Sequence, residues 1–283
     1  KEYCRQTPRA VIVSRVVVAG ENIRRRGGEF RKGQRVLPTG VRVTPPVVGL
    51  LASFGYATVS VHEAPVVTVA VTGDELLSAG GRLQPGKIRD ANSYALAAAV
   101  RALGIEGGRT MRLKDRPSIL KRCLARALRD SDVLLTVGGI SVGDYDYVRP
   151  VLHELGVKEV FWRVAVKPGK PAYFGIFRHQ QAASAKASRG KRRRSCLVFG
   201  LPGNPVSALV CFHQLVKPAL LKLMGLSDRN RIALRARLIG ERRKEPGRLE
   251  WLRGVMSVRD GDLLVKPTVG QDSHMLGGLA RAN

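Results

Sequence analysis

The stretch that most constrains the fold is Asp132–Tyr147, DVLLTVGGISVGDYDY. Val133–Val137, VLLTV, is a run of apolar and β-branched residues, and Gly138-Gly139 ends it abruptly. Such a run, with no regular polar alternation, is what a parallel strand covered on both faces looks like. Glycines at its carboxyl end allow a tight turn and let backbone N–H groups approach an anion. Ligands of open α/β sheets sit beyond these strand ends. Here the chain continues through Ser141-Val142-Gly143 to Asp144 and Asp146. Gly138, Gly139 and Ser141 are therefore candidates for holding substrate. Two acids beside an anion-accepting loop suggest a bridging divalent metal, because hard cations take carboxylate oxygens. A plain strand–turn–helix corner with solvated aspartates explains the pattern equally well on its own.

Strands and helices alternate around this run. The pattern predicts strands over Val66–Val71, Thr110–Leu113, Val160–Val166, Ala172–Phe177 and Cys196–Phe199. It predicts helices over Ser93–Leu103, Pro117–Arg129, Tyr147–Leu155 and Asn204–Met224, with Asn92 placed to cap the first and Pro117 to open the second. That succession argues a three-layer α/β domain over residues 65–226. Residues 1–64 read as a partial β-rich domain, with β-branched runs at Val11–Ala19 and Thr58–Val61 and a short helix at Val47–Gly55. Residues 227–283 read as an incomplete C-terminal β-barrel. Its strands are expected at Ala233–Ile239, Trp251–Val258 and Leu263–Val265, with Asp260-Gly261 as a hairpin turn.

At 283 residues and 44% hydrophobic, the chain can bury a core and fill two domains or more. Cys4, Cys123, Cys196 and Cys211 are widely spaced without a CxxC pair, which points to a reducing cytosol and away from a disulfide frame or zinc site. The histidines form no HxH or HExxH pattern. No apolar run approaches the ~20 residues of a membrane span, so a cytoplasmic location is expected. The start, Lys1-Glu2-Tyr3-Cys4, has neither a methionine nor a signal-peptide core, and the sequence reads as a fragment. The formal charge of +27 would attract nucleic acid, anionic lipid or small polyanions. Basic residues gather at Arg24–Arg26, Arg178–Arg194 and Arg229–Lys244. The second patch, set among Gln, Ala, Ser and Gly, reads as a solvated flexible loop. Aromatics are only 5% and do not alternate with the basic residues, which argues against a surface that stacks single strands.

Four further motifs carry chemistry. Thr72-Gly73-Asp74-Glu75 follows a strand and could set Glu75 against the same ligand as Asp146; helix-start acids are the alternative. Val166–Pro171, VKPGKP, holds Lys167 and Lys170 around a rigid turn, as phosphate binding or a charged surface turn would. Leu201–Ser207, LPGNPVS, opens the last helix, where Asn204 can cap and Pro205 suits the first turn. Asp115 precedes Pro117 and reads slightly better as an N-cap than as a site residue. His153 and His213 sit within amphipathic helices and read as packing residues, whereas His274, in a loop, is the better site candidate.

Together, TGDEL, GGISVGDYDY, VKPGKPAYFG and LPGNPVS, in this order and spacing, resemble the molybdopterin molybdenumtransferase family, which includes the E domain of gephyrin. NIRRRGGEF at Asn22–Phe30 and GRLEWLRG at Gly247–Gly254 extend the resemblance in both directions. The resemblance implies a homodimer of elongated subunits, each with a β-rich lid, a molybdopterin-binding α/β domain and a C-terminal barrel. It implies insertion of molybdate into adenylylated molybdopterin with Mg²⁺ and release of AMP, and a molybdopterin adenylyltransferase as a partner. The family's carboxylates fall on Glu29, Glu75, Asp115 and Asp146, with Glu75 and Asp146 as metal ligands. Its anion-holding positions fall on Arg163, Lys167 and Lys170, and Pro202, Asn204 and Pro205 lie on its LPGNP turn. Arg253 and Ser273 are expected to reach into a cleft, that of the partner subunit.

The sequence departs from the family where RGED becomes Arg26-Gly27-Gly28-Glu29, and where Arg163 replaces a lysine. Set against the family, the sequence is expected to lack the N-terminal segment and part of the barrel, and Arg178–Arg194 reads as an insert. No Ser–His or Cys–His arrangement appears, which favours metal-assisted hydrolysis over a covalent intermediate. Two rival readings stand beside the enzyme: a gephyrin-like scaffold or binding module, and a basic nucleic-acid binder without turnover.

Overall fold

The computed structural model describes residues 3–141, 143, 146–179, 195–226, 233–244 and 246–283. Asp144, most of the basic stretch Arg178–Arg194 and the start of Arg229–Lys244 lie outside the described residues. The chain forms two compact units, Lys1–Val41 and Arg42–Asn283.

In the first unit, β1 (Cys4–Gln6) pairs antiparallel with β2 (Val11–Val13), Cys4 opposite Val13. The strand expected to run on to Ala19 stops at Val13. Val16, Val17 and Val18 are exposed and meet no neighbouring strand, so their β-branched side chains have nothing to pack on. No described residue of this unit is buried.

The second unit opens with α1 (Pro45–Ser53). The strand expected at Thr58–Val61 does not form, and Val59 and Val61 are exposed. Then follow β3 (Val67–Thr72), β4 (Leu76–Leu77), β5 (Ile88–Arg89), α2 (Asn92–Arg101), β6 (Arg109–Leu113), α3 (Pro117–Asp130), β7 (Val133–Val137) and α4 (Val148–Glu154). After them come β8 (Lys158–Trp162), β9 (Val166–Lys167), β10 (Tyr173–Arg178), β11 (Ser195–Leu201) and α5 (Pro205–Cys211). The single strand expected over Val160–Val166 is split into β8 and β9.

A six-stranded sheet runs in the order β6-β3-β7-β11-β10-β8. Its first four strands are parallel, and β10 is antiparallel to both of its neighbours. Strands β3 and β7 are buried at every position, their β-branched threonines Thr68, Thr72 and Thr136 included, as strands covered on both faces are. Alternate residues feed opposite cores. Val133, Leu135 and Val137 meet Leu96 and Val100 of α2, and Ala208 and Phe212 of the helix that α5 begins. Leu134 meets Leu120, Leu124, Val148 and Leu152 of α3 and α4 on the other face. Helix–sheet–helix layering is thus the expected three-layer α/β architecture. Registers Thr72↔Leu113, Val71↔Val137 and Val137↔Leu201 bring the carboxyl ends of the four parallel strands level at one edge.

The helix begun by α5 continues through a π turn, Phe212–Val216, into α6 (Lys217–Leu223). The widened turn lies directly ahead of Pro218, which has no N–H to give to the turn behind it. By length and composition, Pro205–Leu223 is a helix that could cross a membrane, contrary to the expectation that no run approaches one. Its Val206, Cys211, Phe212, Val216 and Leu220 are buried in the protein core.

The C-terminal part holds β12 (Arg237–Leu238), β13 (Leu249–Glu250), β14 (Gly254–Arg259), β15 (Asp262–Pro267) and α7 (Leu276–Ala280). A three-stranded sheet β12-β15-β14 turns at Asp260-Gly261, both at positive φ (52° and 86°), as a tight hairpin requires. Strand β13 pairs with β9, Leu249 beside Val166, which stitches this part to the α/β domain.

Candidate active site

Beyond the level strand ends lies a cleft of about 670 Å³. Strand β7 ends on its floor. Gly138 and Gly139 take positive φ (87° and 64°), and neither tolerates a side chain. A Cβ at Gly138 would lie 3.0 Å from the Thr72 carbonyl, and one at Gly139 would lie 2.6 Å from Val148 Cγ2. The glycines therefore set the turn against β3 on one side and α4 on the other. Gly138 N–H donates to Leu201 O at 3.1 Å, and Val148 N–H to Gly139 O at 3.1 Å. Asp146 Oδ2 accepts from Gly143 N–H at 2.8 Å, so its carboxylate is fixed to the loop that carries it.

Gly138, Gly139, Ser141, Glu75, Asp115, Asp146, Pro202, Asn204 and Pro205 all line this one cleft. Glu75 follows β3, Asp115 follows β6 and Asp146 follows β7. Asp115 is not the cap suggested for α3. The N-cap position is Arg116, with no side-chain capping bond. Burial, then the charge of Glu75, pushes the Asp115 carboxyl up, while hydrogen bonds from the Asp74 backbone and the Thr72 hydroxyl pull it down.

The structure also redistributes capping roles. Asp90 takes the Ser93 N–H at 2.9 Å and caps α2, while Asn92 Nδ2 donates across the cleft wall to Gly203 O at 2.7 Å. Asn204 occupies the N-cap position of α5 but makes no capping bond, and its Nδ2 donates to Ser273 Oγ at 2.8 Å. Ser273 O also accepts the Val206 N–H at 3.1 Å. Ser273 therefore braces the LPGNP turn of its own chain. The next residue, His274, lines the cleft.

None of the basic residues expected from the sequence lines it. Lys167 faces Glu250 at 3.6 Å, because the β9–β13 register sets the two side by side. Gly169, between the two lysines, is pinned to α5 by Cys211 Sγ, which donates to Gly169 O at 3.7 Å. That leaves Pro171, not Lys170, as the motif's residue on the cleft wall. Arg163 lies over the Trp162 ring at 4.1 Å. Arg253 is 4% exposed and is held by its own loop, donating to Gly270 O at 2.7 Å and Asp272 O at 3.2 Å. Glu29 is an exposed residue of the first unit. Arg89, Asn92 and Thr72 line the cleft although the sequence did not single them out as site residues. Arg89 ends the two-residue strand β5 and Asn92 opens α2, and nothing in so short a stretch marks a site in the sequence.

Among the described residues, no three His, Cys, Asp or Glu side chains are spaced to share an ion. Glu75 and Asp146, which line the same cleft, nonetheless offer the carboxylates that a cation of the magnesium type takes. Such an ion takes one or two protein carboxylates and completes its shell with water and substrate phosphate oxygens.

Residues 68–222, more than half the chain, match the family described as a probable molybdopterin binding domain. Residues 1–55 match the MoeA N-terminal region (domain I and II), and residues 235–283 match the MoeA C-terminal region (domain IV). A molybdopterin molybdenumtransferase of Haemophilus influenzae is 34% identical over 265 residues, covering 93% of this chain and 61% of that protein. One from Bacillus subtilis is 33% identical over 268 residues, covering 93% of this chain and 58% of that protein. The crystal structure of the molybdopterin biosynthesis MoeA protein from Pyrococcus horikoshii superposes with a TM-score of 0.67 at 26% identity, covering 99% of this chain and 64% of that one. The chain thus spans about three fifths of the length of the curated relatives it matches. With strand ends, glycine turn and acids arranged as above, and with matches in all three regions, this chain belongs to the molybdopterin molybdenumtransferase family.

Proposed function

We propose that this protein inserts molybdate into adenylylated molybdopterin and releases AMP. The observation that carries the reading is the meeting of Glu75, Asp115 and Asp146, from three separate strand ends, in one cleft walled by the Gly138-Gly139 turn. The relatives' own description as molybdopterin molybdenumtransferases supports the reaction class.

Each wall has a task. Gly138, Gly139 and Ser141 let backbone approach an oxyanion, and the LPGNP turn closes the opposite side. Val71, Leu76 and Ile88 add apolar surface for a flat ring system. Glu75 and Asp146 would hold Mg²⁺, with Asp115 beside Glu75. When bound, that ion supplies positive charge against the phosphate oxygens of the bond being cleaved. Arg163, Lys167 and Lys170 enter this reading as charges outside the lining that attract anions toward it. A homodimer, an adenylyltransferase that supplies the substrate, a cytoplasmic setting and a three-part division at residues 1–64, 65–226 and 227–283 belong to the same reading.

The test is AMP release from adenylylated molybdopterin, followed by chromatography. Wild-type protein should release AMP only with both molybdate and Mg²⁺ present. Asp146→Ala should slow release at least ~10²-fold, the scale of losing one charge-stabilising group at a reacting centre. Wild-type protein that binds the substrate and never releases AMP would end the enzymatic reading.

A further inference from the structure

A cleft that handles oxyanions needs a fixed positive charge, and the basic residues expected from the sequence do not supply it. Among the described residues, Arg89 is the one lysine or arginine in the lining, set with Glu75, Asp115 and Asp146. Its position is built by the fold. Strand β5 pairs in parallel with β4, which starts directly after Glu75, so that Leu76 lies beside Ile88 and Leu77 beside Arg89. Ile88 N–H donates to Glu75 O at 2.9 Å and Asp90 N–H to Leu77 O at 2.8 Å, tying the ribbon on both sides of Arg89. Asp90, 4% exposed, then caps α2 and fixes the chain beyond. The ribbon thereby sets the backbones that carry Glu75 and Arg89 side by side on one wall, and the exposed Arg89 side chain is free to reach a ligand there. The guanidinium itself is lightly used, with a long 3.4 Å contact to Gly81 O.

We propose that Arg89 is the oxyanion clamp of the cleft, binding a tetrahedral oxyanion, either the nucleotide phosphate or molybdate itself. A planar fork with parallel donors matches two oxygens of one such anion, where a lysine offers only a point charge. The assignment rests on the molybdate-insertion reading of the cleft and adds to it the group that grips the anion.

The experiment titrates AMP, pyrophosphate and molybdate into wild-type protein, Arg89→Ala and Arg89→Lys at fixed ionic strength, with and without Mg²⁺. Thermal melting of each variant and AMP release are followed in parallel. Arg89→Ala should weaken binding of the cognate anion about tenfold or more while Tm stays within ~2 °C, and Arg89→Lys should restore part of it. A loss confined to AMP and pyrophosphate identifies the phosphate as the clamped group; a loss confined to molybdate identifies the oxometal anion. Equal affinities in wild type and Arg89→Ala, or no binding of any probe by wild type, overturns the clamp. If Arg89→Ala binds and releases AMP like wild type, the function stands without Arg89. Arg89-dependent anion binding without AMP release would remove the enzymatic reading and leave the clamp.

Discussion

Asp115 holds its place in the cleft at an electrostatic cost. Its carboxyl is partly desolvated and lies near Glu75, and both effects raise its pKa above 3.8. A native pKa above the unfolded one means the folded chain holds that proton more tightly. The stability this gives is complete below 3.8 and is lost as pH rises through the raised native value. At neutral pH the ionised group therefore opposes folding. Asp115→Asn should raise Tm by about 1–2 °C at pH 7 while abolishing AMP release, and the gain should shrink toward pH 4; melting curves across that range check it. An unchanged or lowered Tm at pH 7 would count against the strain. Single residues were also where sequence reading was weakest. Asn92 and Asn204 carry the right chemistry for caps, but each amide instead reaches a partner far along the chain, Gly203 and Ser273. A local pattern cannot show a partner brought close only by folding. Arg253 illustrates the same limit, because its carbonyl partners lie in a loop that folds back over it.

At the scale of elements, the glycine turn after β7 is held from outside by β8. Trp162 Nε1 donates to Ile140 O at 2.9 Å. Its ring lies between the Arg149 and Arg163 guanidinia, at 3.9 and 4.1 Å. Trp162→Phe keeps an aromatic ring between the cations but leaves the Ile140 carbonyl without that donor. The cost should be about 1 kcal/mol, a fall of roughly 2–4 °C in Tm. Anion affinity should drop several-fold, because Ile140 and Ser141 both line the cleft. Calorimetry on the variant decides it: full affinity with a lowered Tm would make Trp162 a packing residue only. The long inner strands were legible because a run such as Val133–Val137 has a single stable setting, covered on both faces. Val16–Val18 and Thr58–Val61 are just as β-branched but lack the partner strand, and β-propensity reports fit to a neighbouring surface more than an intrinsic backbone preference. The two-residue strands β4 and β5, which place Glu75 and Arg89, are too short to leave any period in the sequence.

For the whole molecule, the charge of +27 is a long-range field that any polyanion will feel, whatever the cleft does. The nucleic-acid reading and the enzyme reading therefore predict different couplings between charge and site. Non-specific binding to duplex DNA should occur at low salt and fall by orders of magnitude between ~50 and ~200 mM, as released counterions dictate. It should be indifferent to Asp146→Ala and Arg89→Ala, since neither change alters the net charge by more than one unit in so large a total. Binding of a small anion in the cleft involves one or two charges and should show a far shallower salt slope, with both variants altering it. Fluorescence anisotropy with labelled duplex and calorimetry with AMP, across the same salt series, separate the two. If duplex binding persisted at high salt, or excess AMP displaced the duplex, nucleic acid would be competing for the cleft. The acids at β3, β6 and β7 would then be hard to explain, because Glu75, Asp115 and Asp146 repel a phosphate backbone unless a cation stands between them.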